Sequence, residues 1–265
     1  MRVETERGTF EVHRTGDTGP VVLLLHPLAL SGRFWDPIAA VLGERAQVFA
    51  LDARGHGATA WDGKPFTIHD MAEDAAAVLR TLTGGAPARL AGMSMGGCTA
   101  IALAERHPEL VDRLLLADTT ACYGPDREAN WAERARNVES KPRQELIDFQ
   151  VTRWFSDAFR EKNPDEVQRL VDIFLATDSA AHAAASRAMG GFDGTAELGR
   201  ITAETLVVVG EGDYATPPEM AAVLADGIPR TALEVLPGAR HMSLLERPDY
   251  WPILAAHLVD GRLPR

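Results

Sequence analysis

The stretch that decides the fold is Gly92-Met93-Ser94-Met95-Gly96-Gly97. It follows an apolar run, Ala88 to Ala91, and opens a helical pattern, Cys98 to Arg106. This is the pattern G-x-S-x-G in its required setting of strand, sharp turn and helix, in which the serine has a strained backbone conformation. The glycines on either side keep side chains out of the crowded corner. The pattern predicts that Ser94 is an exposed nucleophile above a sheet, although a glycine-rich turn that binds a phosphate would look similar.

A serine is a weak nucleophile without a base, and the chain order expected after this turn is Ser, Asp, His. His241 closes the loop Pro237 to His241, after the last apolar run. A loop at that point lies at the carboxyl edge of the sheet, where ligands bind in open α/β folds. His241 is therefore the predicted base, and His257, within a helical pattern, is predicted to be structural. The remaining histidines with no such setting are predicted to be surface or capping residues: His13, His69, His107 and His182.

The imidazole needs a carboxylate that fixes its tautomer. Asp213 follows the apolar run Leu206 to Val209, just before the histidine loop, and is the predicted partner of His241. Asp118 follows the run Arg113 to Ala117 and is the alternative, because it also stands at a strand end.

Two backbone N–H groups should face the negative charge that develops on the attacked carbonyl oxygen. The amide of Met95, directly after the nucleophile, is one candidate. The loop His26-Pro27-Leu28 follows the first apolar run, and Leu28 is the second candidate because proline has no N–H. His26 is predicted to shape this loop.

Continuous apolar runs predict strands buried on both faces, as in a parallel sheet. Helical patterns lie between most of these runs, so the sequence predicts βαβ units and an α/β fold with a mainly parallel sheet flanked by helices. The runs are Val21–Leu25, Gln47–Leu51, Ala88–Ala91, Arg113–Ala117, Leu206–Val209 and Ala232–Leu236, and the intervening helical patterns are Phe34–Leu42, Ile68–Leu82, Cys98–Arg106 and Pro217–Ala225.

The alternation stops after Thr120, and no strand candidate occurs up to about Gly199. Four amphipathic helical stretches fill this segment: Asp126–Glu139, Arg143–Phe159, Asp165–Ala176 and Ala180–Met189. We expect a core of residues 1–120 and 200–265 with a helical cap of residues 121–199 inserted between two strands. Four more helices around the sheet are the alternative.

The composition sets broad limits. The 265 residues suffice for one α/β domain with an insertion. A formal net charge of −11 makes nucleic acid an unexpected partner, because duplex binding needs a basic face. Two cysteines offer no disulfide framework, no secretory signal is visible, and the longest apolar run, Val21 to Leu25, is too short to cross a membrane. These features predict a cytoplasmic protein without membrane contact, and they leave the oligomeric state open.

With these residues assigned, the whole chain resembles the α/β-hydrolase superfamily, and within it the group of 3-oxoadipate enol-lactonases, esterases and cofactor-free haloperoxidases. The resemblance implies a triad of Ser94, Asp213 and His241. It also implies that His56 belongs to a structural loop. The strings that carry the resemblance are Leu51–Gly57, Gly92–Gly97, Gly212-Asp213 with Pro217-Pro218, His241, Arg153-Trp154-Phe155 and Leu175-Ala176-Thr177.

The predicted function is hydrolysis of a small-molecule carboxylic ester or lactone through an acyl-enzyme, without a cofactor or a metal ion. The resemblance implies a lactone that bears a carboxylate, for which Arg33 and Arg134, with Trp131 and Trp154, are the candidate binding residues. Arg134 could instead belong to a solvated helix face with Arg136. Two other functions stay open: a ligand-binding receptor that keeps the fold, and a cofactor-free perhydrolase or C–C bond hydrolase.

Overall fold

The computed structural model describes residues 1–263. Its centre is a sheet of eight strands: β1 Arg2–Thr5, β2 Gly8–Thr15, β3 Val21–Leu25, β4 Gln47–Leu51, β5 Ala88–Met93, β6 Val111–Ala117, β7 Glu204–Gly210 and β8 Thr231–Leu236. The spatial order is β1-β2-β4-β3-β5-β6-β7-β8. The strands from β3 onward run parallel, and β1 and β2 pair antiparallel at one edge.

The predicted mainly parallel sheet is confirmed, and its six parallel strands are the six continuous apolar runs. The hairpin β1–β2 was not predicted. In β2 the buried Phe10 and Val12 alternate with the half-buried Glu11 and His13. Such alternation is typical of a strand with one face toward solvent, and a search for continuous runs overlooks it.

Helices flank the sheet and connect its strands. Their bounds are α1 Asp36–Leu42, α2 Ile68–Thr83, α3 Met95–Arg106, α4 Arg127–Ser140, α5 Ile147–Trp154, α6 Asp157–Lys162, α7 Pro164–Ala176, α8 Ser179–Gly190, α9 Pro218–Gly227, α10 Ser243–Glu246 and α11 Trp251–Leu258. Helix α2 begins at a capping box, in which Thr67 and Asp70 each bind the backbone N–H of the other, and it ends at Gly84 with a φ of 65°.

The segment between β6 and β7 contains the five helices α4 to α8, and we call residues 121–199 the helical insertion. Helix α4 packs against α8. The predicted single helix Arg143–Phe159 is wrong. It is divided into a 3₁₀ turn over Arg143–Leu146, then α5, then α6. The division lies at Phe155, which is extended, and Ser156, whose side chain accepts a hydrogen bond from the Phe159 N–H and begins α6.

Within residues 1–263, none of the helices combines the length and the apolar character needed to span a bilayer. In the same part of the chain, no three His, Cys, Asp or Glu side chains are grouped so that they could hold a metal ion.

Candidate active site

Ser94 stands at the turn between β5 and α3. Its φ of 53° lies in a region that non-glycine residues rarely adopt. The turn is so tight that a Cβ atom on Gly92 would lie 2.2 Å from the Gly96 carbonyl oxygen, and one on Gly96 would lie 2.1 Å from the Leu25 oxygen. Both glycines are therefore required by close backbone approach, which agrees with the role predicted for them.

Ser94, His241 and Asp213 form a continuous line of hydrogen bonds. His241 Nε2 lies 3.0 Å from Ser94 Oγ, and His241 Nδ1 lies 2.8 Å from Asp213 Oδ2. All three residues are buried. Because a carboxylate can only accept, the imidazole proton belongs on Nδ1, and the lone pair of Nε2 then faces the hydroxyl group. Such an imidazole can accept the proton of the hydroxyl group and so activate its oxygen.

Asp213 is held as an acceptor by the turn that follows β7. The Thr216 hydroxyl donates to Oδ2 at 2.7 Å, and the N–H groups of Ala215 and Thr216 donate to Oδ1. Burial acts to raise the pKa of Asp213, but His241 and these donors prevail and hold the pKa below its ordinary value. The carboxylate therefore stays ionised beside the imidazole.

Asp118, the alternative acid, has other partners. Its carboxyl group accepts from the Gly210 N–H at 2.9 Å and from the Ser243 hydroxyl at 2.7 Å. Burial, and then the negative charge of Asp213, raise the pKa of Asp118 well above its ordinary value. Asp118 thus connects the end of β7 to the start of α10. Its hydrogen bonds go to Gly210 and Ser243 and not to the His241 imidazole.

The loop after β3 is arranged by His26. Its Nδ1 lies 2.7 Å from the Pro27 carbonyl oxygen, and its Nε2 accepts from the Ala53 N–H at 3.1 Å. In a trans peptide the C=O and N–H groups point in opposite directions, so the Leu28 N–H points away from His26. Leu28 lines the same cavity as Ser94. Met95 is the first residue of α3, and its N–H has no acceptor within the helix.

The cavity at Ser94 has a volume of about 10 Å³, room for roughly one water molecule. The core and the helical insertion both contribute to it. Its lining residues are Pro27, Leu28, Ser94, Trp131, Arg134, Gln150, Arg153, Trp154, His241 and Met242.

Two arginines of the helical insertion stand in this cavity wall. The guanidinium carbon of Arg134 lies 4.8 Å from the Trp131 ring centroid, which is a cation–π contact. Burial, and then the charge of Arg153, hold the pKa of Arg134 well below its ordinary value, and burial lowers the pKa of Arg153. Among the salt bridges of residues 1–263, none joins either guanidinium to a carboxylate. Two cations without a counter-ion form a site suited to an anion.

Comparison with known proteins places this geometry in a family. The family model described as the alpha/beta hydrolase fold matches residues 20–248. The chain belongs to this family. Within it, the chain is 29% identical over 230 residues to a 3-oxoadipate enol-lactonase of Acinetobacter baylyi, covering 87% of this chain and 85% of that one.

Solved structures agree with this assignment to the α/β hydrolases. The enol-lactonase from Burkholderia xenovorans LB400 superposes with a TM-score of 0.90 at 28% identity, covering 97% of this chain and 99% of that one. A thermophilic esterase from Thermogutta terrifontis, with malate bound, superposes with a TM-score of 0.86 at 27% identity, covering 94% and 93% of the two chains. The expected resemblance to enol-lactonases and esterases is confirmed.

The structure of this α/β hydrolase brings most of the predicted site residues together but not all of them. Trp131, Arg134 and Trp154 line the cavity at Ser94. Arg33 does not: its side chain is 59% exposed and pairs with Asp36 at 3.5 Å. Assigning Arg33 to the substrate site is therefore wrong in this structure, because its 3₁₀ turn directs the side chain to solvent.

Arg153 and Gln150 line the cavity but were absent from the predicted site. They lie three residues apart on α5, and Trp154 follows Arg153 directly. Residues three and four apart share one face of a helix. Once Trp154 is assigned to the site, this spacing on α5 is the signal that would also have identified Gln150.

The prediction for His182 is also wrong, since its side chain is fully buried in α8 rather than at the surface. Its Nδ1 lies 3.3 Å from an Arg143 guanidinium nitrogen. His56, expected to be structural, is buried in the loop after β4 and lies 3.1 Å from the Arg54 carbonyl oxygen through Nδ1.

Proposed function

We propose that this α/β hydrolase cleaves a carboxylic ester or lactone through an acyl-enzyme on Ser94. One observation carries the proposal: Ser94 Oγ, the His241 imidazole and the Asp213 carboxylate are linked by contacts of 3.0 and 2.8 Å inside a buried cavity. Relatives that bear the names enol-lactonase and esterase support the same class of bond for this chain.

The reaction follows from the geometry. As Ser94 Oγ bonds to the carbonyl carbon, its proton passes to His241 Nε2, and the carbonyl oxygen becomes negative between the N–H groups of Leu28 and Met95. Asp213 stabilises the imidazolium. His241 then donates the proton to the leaving oxygen as the C–O bond breaks. Water next gives a proton to His241 as its oxygen bonds to the acyl carbon. The bond from that carbon to Ser94 Oγ then breaks, Oγ takes the proton back from His241, and the acid is released.

We further propose that the substrate bears a carboxylate. Arg134 and Arg153 are partly buried cations beside Ser94, and withdrawing a charge from water without a partner is costly. A substrate carboxylate would supply the missing negative charge through charge-assisted hydrogen bonds. The relative from Thermogutta terrifontis was solved with malate, a dicarboxylate, which supports an anionic ligand for this chain.

In this proposal the helical insertion acts as a cap on a core of residues 1–120 and 200–265. Support comes from Trp131, Arg134 and Trp154, which belong to the insertion and line the same small cavity as Ser94. A cap of this kind excludes water and orients the substrate during the reaction.

Replacing the nucleophile tests the reaction. Ser94→Ala should lose at least ~10³-fold in kcat, since only the oxyanion contacts and binding remain. A phosphonate ester probe should label Ser94, with the label assigned by peptide mass spectrometry. The exposed serine Ser140 provides the control, and Ser140→Ala should keep both activity and labelling. Labelling at another residue, or an active Ser94→Ala protein, would refute the proposal.

A pair of chromogenic esters tests the substrate class: mono-p-nitrophenyl glutarate, which bears a carboxylate, and neutral p-nitrophenyl acetate. Wild type should prefer the glutarate ester. Arg134→Ala should lower the ratio of the two kcat/KM values by roughly 10- to 150-fold, the loss expected for one charged hydrogen bond. Arg136→Ala, on the exposed face of α4, and Arg33→Ala should leave the ratio unchanged. A wild type that prefers the neutral ester would contradict this assignment.

A further inference from the structure

A second, larger space lies on the outer side of α4 and α5, and we call it the outer groove. Its volume is about 330 Å³, against about 10 Å³ for the cavity at Ser94. Arg134, Gln150 and Arg153 line both spaces. A single layer of long side chains therefore separates the outer groove from the nucleophile. A substrate larger than one water molecule reaches Ser94 only if some lining side chains move.

Within this layer, Arg134 is held on both sides by aromatic rings. Its guanidinium carbon lies 4.8 Å from the Trp131 ring centroid and 5.7 Å from that of Phe149. Phe149 belongs to the outer side, where 55% of it is exposed. These contacts fix the position of the guanidinium without neutralising its charge.

Gln150 is held much less firmly. Although it is 4% exposed, its Oε1 accepts from Arg134 Nη2 at 3.5 Å, beyond the usual range for an N–H···O hydrogen bond. The half-buried Arg134 guanidinium is therefore bonded only weakly, to a neutral amide oxygen. Displacing Gln150 from Arg134 therefore breaks only this long contact and costs little.

We propose that Gln150 is a specificity-determining gate whose amide oxygen occupies the position on Arg134 that the substrate carboxylate takes. The inference rests on the proposed function and adds to it a means of selection. A carboxylate binds a guanidinium more strongly than an amide oxygen does, because the hydrogen bond is charge-assisted and can be bidentate. An anionic substrate therefore displaces Gln150 and opens the way to Ser94, whereas a neutral ester offers Arg134 no replacement partner.

The charges around the gate agree with this assignment. The carboxylates that line the outer groove, Glu133 and Glu145, are exposed, and neither lines the cavity at Ser94. Among the described side chains that line the cavity, the charged ones are Arg134 and Arg153, and the imidazole of His241 lies beside Ser94. A negative charge introduced at position 150 would thus be paired in place by arginine.

Gln150→Glu tests the gate because the introduced carboxylate would pair with Arg134 and compete there with the carboxylate of the substrate. The ratio of kcat/KM for mono-p-nitrophenyl glutarate to that for p-nitrophenyl acetate should fall about 10-fold or more below wild type. Gln150→Leu removes the internal acceptor, so KM for the glutarate ester should fall severalfold. Gln144→Glu adds the same charge to an exposed part of the helical insertion, and it should leave the ratio at the wild-type value.

Inhibition provides a second readout that needs no reaction of the anion. Glutarate should inhibit turnover of p-nitrophenyl acetate competitively, with a higher inhibition constant in Gln150→Glu and a lower one in Gln150→Leu. If Gln150→Glu does not fold, the leucine variant alone decides. An unchanged ratio in Gln150→Glu, or a higher KM or inhibition constant in Gln150→Leu, overturns the gate.

The two proposals fail in different ways. A wild type without preference for the glutarate ester contradicts the proposed substrate class. A wild type with that preference, and Gln150 variants that keep it unchanged, contradict the gate alone.

Discussion

At the scale of single residues, two buried carboxyl groups at neighbouring strand ends differ in what donates to them. Asp213 lies beside the His241 imidazole, and its pKa is held low although burial opposes this. Asp118 receives the Gly210 N–H and the Ser243 hydroxyl, and burial with the nearby charge of Asp213 raises its pKa well above the ordinary value. Burial and the charge of Asp213 thus oppose ionisation of Asp118, whereas the donors around Asp213 favour its ionised form.

This difference predicts that the same substitution, aspartate to asparagine, has a large effect on activity at position 213 and a small one at position 118. Asp213→Asn should lower kcat for p-nitrophenyl acetate by at least ~10³-fold, because an amide cannot hold the tautomer of His241 or stabilise the imidazolium. Asp118→Asn should stay within about 10-fold of wild type. An amide oxygen can still accept from the Gly210 N–H, the amide NH2 group can donate to the Ser243 hydroxyl oxygen, and neither contact involves His241.

The measurement is steady-state kinetics on variants whose fold has been checked by near-ultraviolet circular dichroism. Equal losses in the two variants, or a greater loss in Asp118→Asn, would indicate that Asp118, at the end of β6, is the acid that supports His241.

At this scale the sequence predicts the residues whose position follows from strand ends. Ser94, Asp213 and His241 each follow a predicted strand, and the carboxyl ends of parallel strands meet at one edge. Arg33 is close in sequence to the loop at Leu28, and this nearness favours it as a binding residue. Nearness in sequence does not, however, determine the direction of a side chain. Gln150 could have been predicted from Trp154, because the two residues are four apart on α5 and share one face of the helix.

At the scale of elements, the loop that carries His241 is joined directly to the end of α5. The Arg240 guanidinium donates to the carbonyl oxygens of Thr152 and Phe155 at 2.9 and 3.1 Å. Glu246 accepts from the Arg240 N–H and from the N–H and hydroxyl of Ser156. A cation on the last carbonyls of a helix satisfies groups that lack partners within it. The same contacts therefore position both the loop of His241 and the end of α5, the helix that contains Gln150.

Removing this junction should loosen the end of α5. Arg240→Ala removes two hydrogen bonds and an ion pair with the exposed Asp157, all made by a partly exposed cation. The expected loss is about 1 kcal/mol, which corresponds to a fall in Tm of about 2–4 °C for a chain of this size. Hydrogen exchange of the amides of residues 150–156 should become faster.

Arg247→Ala is the matched control, because Arg247 pairs with Asp249 and the Pro237 carbonyl without touching the helical insertion. Its exchange over residues 150–156 should equal that of wild type. Unaltered exchange in Arg240→Ala would mean that other contacts determine the end of α5.

Helices and strands were predicted well where a single sequence pattern was present, and poorly where a helical pattern contained a residue that can begin a new helix. The continuous runs of β3 to β8 allow few readings. The stretch 143–159 has a helical pattern throughout. The hydrogen bond from the Phe159 N–H to the Ser156 hydroxyl oxygen marks the point at which α6 begins as a separate helix. Such a cap competes with continuation of the helix, and tertiary contacts decide between them.

At the scale of the whole molecule, α3 links Ser94 to the segment in which the chain returns from the helical insertion. Ser94 precedes its first residue, and Glu105 lies near its other end, buried against Gly194. Within residues 1–263, Glu105 Oε1 has no hydrogen-bond partner. Burial, and then the negative charge of Glu197, raise the pKa of Glu105 to about 8. No sequence pattern marks this residue, since its burial follows from how the returning chain crosses α3.

A carboxyl group with a raised pKa makes folding depend on pH. The unfolded chain releases this proton near the ordinary pKa of 4.5, whereas the folded chain keeps it until about 8. Between these values the folded state binds more protons, so this group lowers the free energy of unfolding as pH rises, by at most about 1.4 kcal/mol per pH unit. Glu105→Gln removes the titration. Relative to wild type, the variant should therefore gain stability steadily from pH 5 to pH 8 in urea unfolding experiments. Glu128→Gln, at an exposed carboxylate without a salt bridge in the described part of the chain, is the control and should not reproduce this gain. If the unfolding free energies of Glu105→Gln and wild type instead run parallel with pH, the pKa of Glu105 is the same in the folded and the unfolded chain, and this prediction is wrong.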